Sequence, residues 1–169
     1  MPTIRLARPE EAEPLVALEN EASHAFADVE GYEWVDALPA MAIEEVSRAI
    51  ADRGVWVVDD EGTIAGAVVC WWHGDDCHLR ELNVRTTHAR RGLGRQLVGT
   101  VIEAARDRGC KRVVLTTFAE VPFNGPWYAR LGFVVLDPPD GWVAKEREDE
   151  AREGLDRKPR QAMVYALSS

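Results

Sequence analysis

The stretch that most restricts the fold of this chain runs from Gly92 to about Arg108, where Leu93, Leu97, Val101 and Ala105 recur at helical spacing on one face. Gly109 stops that helix. Cys77 to Val84 reads as a strand before it, and "RVVLTT", Arg112 to Thr117, reads as a buried strand after it because it is β-branched and apolar. A helix with a single apolar face, set between strands, buries that face against a sheet. The chain is therefore α/β or α+β with a mixed sheet.

The remaining segments fit the same architecture. "TIRLA" reads as the first strand, followed by an acidic helix from about Pro9 to Phe26 whose first turn holds Pro9, Glu10 and Glu11. A loop with Gly31, Tyr32, Trp34 and Pro39 leads to a second helix ending near Asp52. "VWVV" (Val55 to Val58), the turn "DDEG" and "TIAGAVVCWW" form a hairpin, and "GDD" turns into the fourth strand. Downstream, Asn124 to Arg130 is a short helix ended by Gly132, and "FVVL" is a strand. Lys145 to Arg157 is a surface helix, and "AMVYAL" (Ala162 to Leu167) closes the sheet. These are about seven strands, and 169 residues suit one domain over 1–169.

Charge divides the chain. Residues 8–61 hold 15 acids and three basic residues, and residues 80–112 hold nine basic residues and three acids. Two ligands of opposite sign would suit that asymmetry, as would two solvated faces. The net charge of −9 argues against general nucleic-acid binding. Cys70, Cys77 and Cys110 form no CxxC pair, so neither a disulfide framework nor a zinc site is indicated, and no metal is expected. Reduced, mostly buried cysteines suit a cytoplasmic protein. The start "MPTIRLARPEEAE" has no signal core, and the longest apolar run, Ile64 to Trp72, is too short for a bilayer, so no membrane partner is expected.

"RRGLGRQL" (Arg90 to Leu97) places Gly92 and Gly94 at the mouth of the central helix. A helix start is an anion site because its first N–H groups lack partners, and glycine lets backbone amides approach a diphosphate. A dinucleotide fingerprint fails because Leu97 stands at the third glycine position, and a P-loop fails for want of Gly-Lys-Ser/Thr. Two helix-start glycines among solvated arginines would account for the same residues.

"ELNVRTTHARRGLGRQLVGTVIEAARDRG", then "VVLTTF", then "NGPWYARLGF" resembles the GNAT superfamily of acyl-CoA-dependent N-acyltransferases, closely over Glu81 to Val134. That resemblance implies a mostly antiparallel central sheet flanked by helices, and acetyl-CoA as co-substrate. It implies that the coenzyme lies along Leu82, Asn83 and Val84 and on the turn of Arg90, Arg91, Gly92, Leu93, Gly94 and Arg95. Asn124 would bond the pantetheine arm, and the Val84 N–H would face the thioester carbonyl or that arm. The family's first turn position, usually Gln or Arg, is Ala89 here, with Arg90 and Arg91 beside it.

Acetylating an amine requires removing a proton from an ammonium, donors for the developing oxyanion, and a proton for the departing thiolate. Glu81 is the candidate base and His78 the runner-up, either acting directly or through a water. Strand alternation puts Leu79, Glu81 and Asn83 on one face and His78, Arg80, Leu82 and Val84 on the other, unless a bulge intervenes. Tyr128 is the candidate acid. The plainer readings are a solvated or salt-bridged carboxylate for Glu81, an edge histidine for His78, a core aromatic for Tyr128 and a helix N-cap for Asn124. The acceptor is expected to be a small-molecule or peptide amine, cationic, met by "FADVEGYEW" with Phe26, Tyr32, Glu33 and Trp34. Direct transfer in a ternary complex follows, with homodimerisation left open. The competing readings are a non-catalytic acyl-CoA-binding or sensory module and a pure interaction domain.

Overall fold

The computed structural model describes residues 1–167. Its strands are β1 (Thr3–Leu6), β2 (Val55–Asp60), β3 (Thr63–His73), β4 (Asp76–Val84), β5 (Arg112–Phe118), β6 (Val134–Val135) and β7 (Arg160–Ala166). Its α-helices are α1 (Ala12–Ser23), α2 (Ile43–Ala51), α3 (Leu93–Asp107), α4 (Gly125–Arg130) and α5 (Gly141–Arg152). The strands hydrogen-bond in the order β1-β2-β3-β4-β5-β7-β6. β4 and β5 are parallel, while β1–β2, β2–β3, β5–β7 and β6–β7 are antiparallel. This is the mixed, mostly antiparallel sheet that the sequence led us to expect.

Two compact units share the chain. Met1–Trp72 with Leu79–Ala104 make the first, and His73–His78 with the chain from Ala105 onward make the second. In the first, Val55–Val58 of β2 and Ala65–Cys70 of β3 are buried without alternation, the pattern of strands covered on both faces. Ala12, Leu15 and Leu18 of α1 and Val46, Ala49 and Ile50 of α2 pack with Val55, Val57, Ala67 and Val69. Arg5 on β1 ties this core to the helix start, pairing with Glu11 at 2.8 Å and Asp59 at 3.0 Å. The Glu11 carboxylate also accepts the Arg8 N–H at 2.7 Å. Leu93, Leu97, Val101 and Ala105 of α3 are all buried, as their spacing predicts. The "DDEG" turn is shorter than expected. Asp59 and Asp60 pair within the hairpin, leaving Glu61 and Gly62 (φ 52° and 90°) as a two-residue turn.

In the second unit β5 lies between β4 and β7, with Val113 and Val114 fully buried. The last strand, β7, does not close the sheet. It sits inside, and the two-residue β6 forms the edge. The helix expected over Lys145 to Arg157 starts earlier, at Gly141, and is only partly a surface helix. Trp142 and Val143, ahead of the charged run, pack with Val114, Leu136, Ala162 and Val164. Glu150 is 5% exposed, yet charged: Thr116 donates to it at 2.5 Å, Arg147 at 2.9 Å and Arg160 at 3.0 Å. Cys70 and Cys77 are buried and Cys110 is half-buried, all as free thiols, and burial pushes the Cys110 thiol up. Among the described residues, no helix is long and apolar enough to cross a membrane.

Burial alone would raise the Glu150 carboxyl, but Arg160, Thr116 and Arg147 outweigh it and hold it below the usual glutamate range. Hydrogen bonds from Arg112 and Trp142 likewise override burial at Asp76. Such groups stabilise the fold above their unfolded pKa and lose that contribution as pH falls through the lower folded value. Stability should therefore be level above about pH 5 and fall below about pH 4 in equilibrium unfolding. Glu150→Gln should lose about 3 kcal/mol, roughly 6–12 °C in Tm, and flatten that acid limb.

Candidate functional site

Within the first unit, the last residues of β4 lead into the turn ahead of α3. A register shift between Val58 and Asp59 leaves Ala65 of β3 as an extra residue opposite β2. The Ala65 carbonyl accepts the Arg85 N–H at 2.8 Å, and the Ile64 carbonyl accepts Arg85 Nε at 2.7 Å. The Arg85 guanidinium also pairs with Glu21 of α1. Gly66 stands beside Asn83, where a Cβ would lie 2.9 Å from the Asn83 carbonyl oxygen. The strand end carrying Glu81, Leu82, Asn83 and Val84 is thus seated against a bulge and a glycine, and these four side chains are half-buried.

The connection that follows is polar. A 3₁₀ turn covers Thr86–His88, and His88 bonds Asp60 at 2.9 Å and Thr87 Oγ1 at 2.8 Å. Arg90 takes φ 62° and Gly92 φ 76°, so the backbone reverses twice before α3. Nothing lies within 4 Å of the place a Gly92 Cβ would occupy. Arg90, Arg91 and Arg95 are exposed, and among the described residues no carboxylate is paired with them. No acidic residue stands in the first turn of α3. Leu93 is buried, so it anchors the helix start, and Gly94 lies half-buried inside the first turn. This is a positively charged helix mouth with room for an anion.

The other expected residues of the first unit lie on the α1–α2 connection. Glu33 accepts the Gly31 N–H at 3.1 Å, Trp34 donates to the Gly31 carbonyl at 3.0 Å, and Tyr32 is buried. Phe26 is half-buried. Several acids of residues 8–61 serve the fold: Glu11 and Asp59 hold Arg5, Glu21 holds Arg85, Asp36 holds His24 and Asp60 holds His88. Glu19 accepts the Met41 N–H at 3.0 Å, and burial raises its carboxyl despite that bond. Asp28, Glu30 and Glu33 remain exposed.

In the second unit, Asn124 occupies the N-cap position of α4, but its side chain makes no cap. Its Nδ2 donates to the Phe123 carbonyl at 3.0 Å. The N-cap reading thus holds for place and fails for chemistry. Tyr128 is 8% exposed and packs edge-on to Trp127 and Phe133, with centroids at 5.0 and 5.6 Å. α4 is seated by Gly125, whose Cβ would lie 2.8 Å from the Ala119 oxygen and 3.0 Å from the Phe118 oxygen. His78 is no edge histidine. It is 2% exposed, pairs across to Val114 and lies 4.5 Å from the Trp142 ring, which itself stacks on His73 at 4.4 Å.

The family model of the acetyltransferase (GNAT) family matches residues 15–133. The chain belongs to this family. It is 31% identical over 109 residues to the probable N-acetyltransferase 14 of Danio rerio, covering 61% of this chain and 37% of that protein. The GNAT fold recurs at a TM-score of 0.73 in the PaiA N-acetyltransferase of Thermoplasma acidophilum, in complex with coenzyme A. That match has 14% identity and covers 99% of both chains. At a TM-score of 0.76 and 18% identity, all of this chain also overlays 36% of N-acetylglutamate synthase from Neisseria gonorrhoeae, complexed with coenzyme A and N-acetyl-glutamate. The chain therefore spans little more than a third of the length of the first and last of these proteins.

Gly66 and Gly125 are positions that sequence reasoning passed over, although a glycine inside the strand-like run "TIAGAVV" signals a bulge or close approach. Gly66→Ala and Gly125→Ala should each lose about 1–3 kcal/mol, because the added methyl meets backbone oxygen. Gly99→Ala, in open space on α3, should instead gain about 0.5–1 kcal/mol. Thermal unfolding of the three variants checks the opposite signs.

Proposed function

We propose that the chain is an acetyl-CoA-dependent N-acetyltransferase that moves an acetyl group to a primary amine by direct attack in a ternary complex. The observation that carries this reading is the helix mouth of α3 in a member of the GNAT family. Gly92 leaves its Cβ position open, and three exposed arginines stand there without carboxylate partners among the described residues. A pyrophosphate needs such a place, and the coenzyme A complexes among the structural relatives support the same ligand. Acetyl-CoA would supply the acyl group as an activated thioester.

The chain's own groups then divide the work. Backbone N–H groups of Gly92 to Arg95, with the guanidinium groups of Arg90, Arg91 and Arg95, hold the phosphates. Leu82, Asn83 and Val84 line the reacting end, with the Val84 N–H as oxyanion donor. Glu81 takes the proton of the acceptor ammonium, directly or through a water. It is preferred over His78, whose burial against Trp142 withdraws the imidazole from an entering amine. Asn124 bonds the pantetheine arm, and Tyr128 Oη gives a proton to the leaving thiolate.

The acceptor is a cationic small-molecule or peptide amine. The exposed Asp28, Glu30 and Glu33 attract it, beside Phe26, Tyr32 and Trp34.

Coenzyme A at ~100 times its Kd should stabilise the fold by about 2.7 kcal/mol, and Gly94→Trp should abolish that shift. Tyr128→Phe should keep coenzyme binding and lower turnover by roughly 10²–10⁴-fold, read as thiol release with a panel of amines. Glu81→Gln should depress the acidic limb of the pH–rate profile. Coenzyme binding without turnover on any amine would favour a sensory acyl-CoA module instead. A preference for anionic acceptors, unchanged by salt, would exclude the cationic acceptor.

A further inference from the structure

Between Arg85 and Leu93 the chain reads Thr-Thr-His-Ala-Arg-Arg-Gly, and His88 is the one residue of the seven that is not exposed. No apolar side chain of this segment is buried, so packing does not hold its shape. What holds it is polar. At one end Arg85 is fixed by the Ala65 and Ile64 carbonyls and by Glu21. In the middle His88 reaches back to the far end of β2, where Nε2 lies 2.9 Å from Asp60 Oδ2. An Nε2–H that donates to Asp60 leaves Nδ1 to accept the Thr87 hydroxyl at 2.8 Å, so both ring nitrogens are satisfied. The His88 and Ala89 amides close the 3₁₀ turn onto the Arg85 and Thr86 carbonyls at 2.9 and 3.2 Å. Directly after it Arg90 adopts φ 62°, a conformation that a non-glycine residue keeps only when its surroundings impose it.

We propose that Asp60, acting through His88, is a positioning residue for the coenzyme. The Asp60–His88 bond fixes the 86–92 turn, so that the amides and guanidinium groups after it face the pyrophosphate before it arrives. Neither residue touches the ligand in this scheme. Their contribution is the ordering of a polar loop, an entropy that binding would otherwise have to supply. The inference rests on the coenzyme reading of the α3 mouth and adds to it a residue from a different hairpin.

The test uses full-length Asp60→Ala, His88→Ala, the double variant and the conservative Asp60→Asn, whose amide oxygen can still accept from Nε2–H. Hydrogen exchange without ligand reads the clamp by itself. Asp60→Ala should speed exchange within 86–92 and leave β2 and α3 unchanged. Calorimetry with coenzyme A should show about tenfold weaker binding in each alanine variant, the value of one lost charge-assisted hydrogen bond. The double variant should bind no more weakly than the singles, and Asp60→Asn should stay within about threefold of the parent on the same scale. In turnover, KM for acetyl-CoA should rise while kcat holds. Unchanged exchange in 86–92, additive losses in the double variant, or parent-like coenzyme affinity in Asp60→Ala would each overturn the clamp. A parent protein that fails to bind coenzyme A at all, with exchange in 86–92 still dependent on Asp60, would instead overturn the coenzyme reading and leave the clamp standing.

Discussion

Arg85 leaves β4 with its N–H given to one carbonyl of the β3 bulge, its Nε to the next and its guanidinium to Glu21 on α1. The two partners of the ion pair are 32% and 41% exposed, so its Coulomb energy is modest. Its weight is geometric. The bulge at Ala65, the glycine at 66 and Arg85 together set where Asn83 and Val84 end and in which direction the chain departs toward α3. Backbone carbonyls and the close approach at Gly66 therefore fix the direction of this strand end.

The second unit solves a different problem with similar means. α5 carries a heavily charged sequence, so its apolar contact is confined to its first turn at Trp142 and Val143. Further along, Glu150 replaces apolar packing with a carboxylate surrounded by two arginines and a threonine hydroxyl. Such a hub adds little net energy over an apolar residue of the same size, but it penalises any docking that leaves the charge unpaired. Asp76 plays the same part at the other end. It receives Arg112 and the Trp142 indole N–H, and Arg112 also holds Asp140.

Sequence periodicity made the fold legible wherever burial followed one face. α3, β2, β3 and β5 lie within a residue or two of their expected limits, because Leu93, Leu97, Val101 and Ala105, or the valine runs, have no other way to be buried. α5 was misplaced because its anchors precede its charges, and helix reading follows the charges. β7 was expected to close the sheet because strand order in space is not written in strand order along the chain. For the site, the Gly92-x-Gly94 turn was visible, and the structure places it at the start of α3 with the Gly92 Cβ position open. The contacts that seat the turn were not. Asp60 and His88 are separated by a hairpin strand and β4, and no local pattern joins two such residues. His78 looked like an edge residue because hydropathy alone cannot anticipate a histidine buried against a tryptophan ring.

The placement of β7 has a consequence for biosynthesis. Among the described residues β6 has β7 alone as its neighbour in the sheet, and the whole of α5 is translated between them. Until β7 emerges, Val134 and Val135 on a nascent chain have no strand to join, and Val113 and Val114 of β5 lack the partners Tyr165 and Val164. The first unit, by contrast, has all of its strands and helices before Cys110. Vectorial synthesis would thus deliver a half that can collapse early, followed by a half whose sheet waits on its final strand, with a β-branched edge uncovered in the interval.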